Sequence, residues 1–183
     1  PLLALQHLYT GERDTVGLRR VFQTFVERNP KDAYARNNFA MVSLLIGADL
    51  AKAEEYAAEL HAAEPKNADF ASTYAFSLYL KGQTQEALRT LRDLGLERLD
   101  DPSLATYYGV FLSALGDKQT AKTYFSKSAK AFLLPEEVAL VERAPQARVL
   151  LLEAAVGQRA LDEQDHLVVL ERLAEVVERA GLH

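Results

Sequence analysis

Four histidines, His7, His61, His166 and His183, are the side chains best suited to moving protons or binding a metal, and they are scattered along the chain. None stands in a His-Glu-x-x-His pattern, which would place two ligands on one helix face, and no Gly-x-Ser-x-Gly turn presents a nucleophile. The one local cluster is Asp162, Glu163, Asp165 and His166, in which Asp162 and His166 are spaced to share a helix face and, in principle, a metal. Acidic residues at a helix start have a simpler role, capping free amides and meeting the helix dipole, so no metal is expected there. The carboxylate pairs Glu54-Glu55 and Glu136-Glu137 are adjacent and point to different sides of a helix, which makes neither an acid–base couple. There is no glycine-rich phosphate loop and no cysteine, which excludes thiolate metal sites and disulfides. The reading is therefore non-enzymatic, with no catalytic residue, no metal site and no cofactor.

The spacing that organises the chain belongs instead to small and apolar residues. Ala53, Ala87 and Ala121 stand 34 residues apart, and Leu44, Leu78 and Leu112 keep the same step. Gly82 and Gly116 keep it too, with Ala48 in the matching slot and Gly47 one residue early. Pro30, Pro65, Pro102 and Pro135 punctuate the units at steps of 35, 37 and 33. Between these marks, Leu50 to Leu60 and Gln85 to Leu94 carry apolar residues at helical intervals. Each unit is thus helix, glycine turn, helix, proline break. Glycine takes the left-handed conformation that ends the first helix, and the residues after it (Asp49, Gln83, Asp117) begin the turn, where Asp can cap amides. Proline closes the second helix or opens the next. A period of this length means stacked units that bury their apolar faces only against neighbours.

These residues resemble the tetratricopeptide repeat family, which stacks 34-residue helix–turn–helix units. The carrying residues are Leu44, Ala53 and Pro65 in one unit, and Tyr74, Ala75, Leu78, Gly82, Ala87 and Leu91 in the next. Tyr108-Gly109, Leu112, Gly116-Asp117, Ala121 and Phe125 carry it in the unit from Pro102. An earlier unit is half matched: Leu18, Phe22, Phe25 and Pro30 stand 35 residues before Ala53, Ala57, Leu60 and Pro65. Its first helix is expected at Leu2–Tyr9, with a turn at Thr10-Gly11, as the trimmed remnant of a longer array. The departures are the absence of tryptophan and a unit that runs through Gly95-Leu96 before its proline. The resemblance implies an all-α, right-handed helical-repeat solenoid of antiparallel helix pairs. About four units are expected over residues 1–135 (about 1–30, 34–65, 68–101 and 102–134), with residues 136–183 as C-terminal capping helices or an interaction segment.

It also implies a concave wall lined by the first helix of each unit, on which equivalent positions stack into uncharged rows. The expected partner-binding residues are Asn38, Ser72 and Thr106; Phe39, Thr73 and Tyr107; Val42, Phe76 and Val110; and Tyr79. Short polar groups beside aromatic rings suit an extended or helical peptide. Packing between helices is the competing role for Phe39, Val42 and Phe76. Chaperone-tail binding is not expected, because no lysine or arginine lies between Asp69 and Leu80 to hold a carboxylate.

Composition narrows the partners. A net charge of −5 removes general attraction to nucleic acid or to anionic membranes. The longest apolar stretches, 39–47 and 149–156, fall far short of the ~20 residues a bilayer span needs. A cysteine-free chain suits cytoplasm and periplasm alike. Leu133-Leu134-Pro135-Glu136-Glu137 reads as a helix start, the helix ending near Ala144-Pro145. A last amphipathic helix over 162–180 carries the stripe Leu167, Leu170, Leu173, Ala174, Val177 and Ala180 and is expected to cap the array; filling the groove, dimerisation or docking to a further domain are its other roles. Protein or peptide is the expected partner. An accessory domain of a larger enzyme or of a secretion or assembly protein is the alternative, with helical-repeat RNA binding behind it.

Overall fold

The computed structural model describes residues 2–144, and among the described residues every regular element is helical. The order is α1 (Leu2–Glu12), α2 (Thr15–Arg28), α3 (Ala33–Ile46), α4 (Leu50–Ala63), α5 (Ala68–Leu80), α6 (Thr84–Arg92), α7 (Pro102–Ala114), α8 (Lys118–Ser128) and α9 (Pro135–Glu142), with a 3-10 turn at Leu96–Asp100 before α7. Helices α1 to α8 pack in sequence order as four pairs, and α3, α5 and α7 also touch one another. Helix pairs that pack chiefly against the next pair in the chain are those of a helical-repeat solenoid. The expectations for 149–156, for the Asp162–His166 cluster and for the helix over 162–180 lie outside the described residues.

Local chemistry sets the helix ends. Side chains of Asp14, Asp32, Asn67, Asp101 and Asp117 accept hydrogen bonds from the first free amides of α2, α3, α5, α7 and α8. Gly47, Gly82 and Gly116 take φ of 70°, 77° and 85°. The amide of the next residue then reaches back across the turn, as Ala48 N to Ser43 O at 2.9 Å and Asp117 N to Leu112 O at 3.0 Å. Three details depart from the sequence reading. Helix α1 runs through Thr10-Gly11 to Glu12, because the reversal is made by Arg13, itself left-handed at φ 54°, and by the Asp14 cap. Of the residues after the glycines only Asp117 caps with its side chain; Asp49 is itself left-handed and its carboxylate pairs with Arg19. In the third pair α6 stops at Arg92, Gly95 turns at φ 105°, and the 3-10 turn drops Leu99 fully into the core.

Small residues let the helices close. Ala53, Ala87 and Ala121 are fully buried in the second helices of their pairs. Between α7 and α8, a Cβ at Gly109 would stand 2.9 Å from the Phe125 ring. One core cluster runs from Ala40 to Ala144, and a second joins α2 and α3 through Leu18, Phe22, Val26, Phe39 and Val42. Helix α1 contributes no buried residue, and Leu3, Leu5 and Leu8 face outward from it. No helix among the described residues is long and apolar enough to cross a membrane.

After α8 the chain does not continue the stack. It crosses to the first pair, where the Arg13 guanidinium lies 5.0 Å over the Phe132 ring and Leu134 packs on the α2–α3 cluster. Helix α9 then returns across the array and touches both α3 and α7.

Candidate protein-interaction site

The face formed by α3, α5 and α7 curves inward. Neighbouring packed helices lie ~8–10 Å apart, so on a flat layer α3 and α7 would stand about 16–20 Å from each other. Yet the Tyr107 hydroxyl of α7 reaches Met41 Sδ of α3 at 3.6 Å, past the intervening α5. Helix α9, with eight residues, is about 12 Å long and still contacts both flanking helices. It lies in the concavity.

Its first turn holds the polar contacts. Proline at the first helical position needs no amide partner, and the Glu137 carboxylate accepts from the backbone N–H of Leu134 at 2.8 Å. The other Glu137 oxygen accepts from the Tyr107 hydroxyl, and the Glu136 carboxylate accepts from the Thr15 hydroxyl at the start of α2. Two adjacent carboxylates thus reach opposite ends of the array. Leu140, Val141 and Ala144 follow into the main core, with Val141 1% exposed. Neither carboxylate takes part in the ion pairs found among the described residues, which are Arg19–Asp49, Arg36–Glu59, Lys81–Glu54 and Lys127–Asp100.

Partial burial shows in the electrostatics. Desolvation raises the pKa of Glu137, repulsion from Glu136 adds to the rise, and the bonds from Tyr107 and Leu134 oppose it. Tyr107 is pushed well above the ordinary tyrosine range, first by burial and then by the neighbouring Glu137 charge. When Glu137 is ionised, Tyr107 donates to it; when Glu137 is protonated, its O–H can donate to the Tyr107 oxygen while Tyr107 turns its proton to Met41 Sδ.

The residues expected on the concave wall fall into four groups. Tyr107, Phe76 and Val110 are buried, the Tyr107 and Phe76 rings 5.4 Å apart beside the Glu137 contact. Thr73, Thr106, Ser72 and Phe39 are buried elsewhere. The Thr73 and Thr106 hydroxyls donate to Asp69 O and Pro102 O in their own helices; Ser72 lines a cleft of about 230 Å³ with Arg98 and Asp101; and Phe39 lies under Arg19 and beside Tyr56. Val42 is buried in the α2–α3 cluster, to which Leu134 adds. Only Asn38 and Tyr79 keep partial exposure, and the Tyr79 ring stacks 5.1 Å from Phe111.

Thr15, Met41 and the Glu136–Glu137 pair are absent from the sequence reading of this wall. The pair looks like ordinary helix-start acid, and only the run Leu134-Pro135-Glu136-Glu137 followed by Leu140-Val141 hints at a helix with one charged and one apolar edge. No group of three or more His, Asp or Glu able to hold a metal occurs among the described residues.

Residues 44–107 match the tetratricopeptide repeat family model. Over that stretch the chain is similar to tetratricopeptide repeats. Solved structures agree in fold: a thermophilic TPR protein of Thermus thermophilus is 22% identical, with a TM-score of 0.58 over 98% of this chain and 89% of that one. A tetratricopeptide repeat protein of Parabacteroides merdae is 16% identical, with a TM-score of 0.52 over 98% of this chain and 72% of that one. No curated protein matches the chain significantly. A tetratricopeptide array is in general a protein-interaction scaffold, and its concave face is where the α9 contacts occur.

Proposed function

We propose that this chain is a non-enzymatic interaction module, a scaffold or adaptor that holds a segment of another protein against the face of α3, α5 and α7. One observation supports this most directly: a helix is already seated on that face, with donors from Thr15 and Tyr107 meeting its carboxylates and its apolar residues entering the core. A wall that satisfies one helix in this way has the chemistry to satisfy another. The alternative, an accessory domain of a larger enzyme or assembly protein, draws on Leu3, Leu5 and Leu8, an apolar edge of α1 that a further helical layer would cover.

Site-specific photo-crosslinking in native lysate tests the reading. A benzoylphenylalanine at Asn38 or Tyr79 on the inner face is compared with one at Ala58, an exposed position on α4. Crosslinks to a polypeptide concentrated at Asn38 and Tyr79 support the reading. Crosslinks from Ala58 alone overturn it.

A further inference from the structure

The kind of segment that this face accepts follows from the one that occupies it. Eight residues are too few to hold a helix in water, where even favourable sequences need ~12–15, so α9 is helical because it is docked. What docks it is specific. Leu134 meets the α2–α3 cluster, Glu136 and Glu137 find hydroxyl donors on α2 and α7, and Leu140 and Val141 fill the core one turn later. Among the described residues, the wall supplies hydrogen bonds to two carboxylates but no ion pair to neutralise them. A part-buried carboxylate loses some of its solvation, and the hydroxyl donors of the wall and the Leu134 amide replace part of it. Among the described residues the seated helix is thus held by apolar contacts and by hydroxyl and amide donors. Because it is tethered, it also competes for the wall at an effective concentration on the order of millimolar.

We infer that α9 is a resident ligand, and that the partner of this face is another protein's short amphipathic helix with the same pattern: an apolar residue, two carboxylates in the first turn, and an apolar pair one turn later, which binds by displacing α9. This rests on the interaction reading above and names the ligand class for that same face. Thr15 and Tyr107 are its specificity-setting residues, because among the described residues it is their hydroxyls that meet the carboxylates from the wall.

The probe is a fluorescein-labelled synthetic peptide of residues 132–144, titrated by anisotropy against the full chain and against a chain carrying Leu140→Asp and Val141→Asp, which unlatches its own α9. The unlatched chain, with its helical circular dichroism retained, is expected to bind the peptide at least about tenfold more tightly than the unaltered chain, since the tethered competitor is gone. A peptide with Glu136→Ala and Glu137→Ala is expected to lose at least about tenfold. Adding Thr15→Ala and Tyr107→Phe to the unlatched chain should erase that preference. If the unlatched chain does not fold, a protease site placed between Lys130 and Ala131 of the otherwise unaltered chain serves instead: after cleavage the released segment should exchange with the labelled peptide.

Three results overturn the inference: no binding by a folded unlatched or cleaved chain, equal affinity for the carboxylate-free peptide, or equal affinity in latched and unlatched chains. A dimer that exchanges residues 132–144 between copies also counts against it, because the occupant is then a second copy. Persistent inner-face photo-crosslinks with no peptide binding would keep the interaction reading and sink this one.

Discussion

Replacing Tyr107 by phenylalanine removes one oxygen and leaves the ring, so its packing against Phe76 at 5.4 Å and Phe111 at 6.3 Å is retained and no cavity opens at the core. What is lost is the donor to Glu137, a carboxylate that among the described residues then keeps the Leu134 N–H at 2.8 Å. Leaving a buried acceptor short of a partner costs ~1–3 kcal/mol, and the remaining bond places this case in the lower part of the range, about 1–2 kcal/mol. The cost falls on the docked state of α9 alone, because the undocked segment is solvated with or without the hydroxyl. That is a shift of about 5–30-fold in the docking equilibrium. Hydrogen exchange followed by mass spectrometry reads it directly: protection of the α9 amides should fall by that factor while protection in α5 and α6 is unchanged. Unchanged α9 protection would show that the Tyr107–Glu137 bond does not hold the helix. A uniform loss across α3 to α8 would show that the hydroxyl supports the fold, and would refute the reasoning equally.

Leu78→Ala removes a buried side chain from the main core and should destabilise the array by ~2–5 kcal/mol, read as a lowered midpoint in thermal or urea unfolding. Gly109→Ala drives a methyl to 2.9 Å from the Phe125 ring, itself buried; the expected cost is ~1–3 kcal/mol by the same unfolding assay, and a neutral result would mean that α7 and α8 can separate freely. Docking of α9 should depend on pH through Glu137. Its pKa is raised on docking by burial and by Glu136, so the docked state takes up the proton; docking is strongest below the ordinary carboxylate range and weakens as pH rises from there to the raised value. Among the described residues the other titratable groups facing it are Glu136, whose charge adds to the rise, and Tyr107, which stays protonated throughout. Opening free energies from exchange, corrected for intrinsic rates, should fall as pH rises out of the ordinary carboxylate range, and Glu137→Gln should flatten that dependence. A profile that rises with pH would reverse the assignment.

The repeat was legible because its signals are local. A left-handed glycine, a carboxylate or amide cap and a small residue at every 34th position each act within a turn or two, so Gly82, Gly116, Ala53, Ala87 and Ala121 announce their roles in the bare sequence. Asp32, Asn67 and Asp101 carry an equally local signal, the capping residue before each first helix, which the more conspicuous prolines overshadow. The wall's chemistry was less legible. That the hydroxyls of Thr73 and Thr106 would turn back onto their own helices, and that Tyr107 would be buried rather than presented, depends on which neighbours crowd each position.

By itself the sequence determined an all-helical array, the limits of most of its helices, and the absence of a cysteine or a histidine-based catalytic motif, since all of these follow from residue type and spacing along the chain. Only the tertiary structure decided that residues 132–144 fold back across the array and that Glu136 and Glu137 reach Thr15 and Tyr107. Those partners are 121 and 30 residues away in sequence. No helical period links them, and contact between them depends on how far the stacked pairs curve, a sum of packing angles over the whole array.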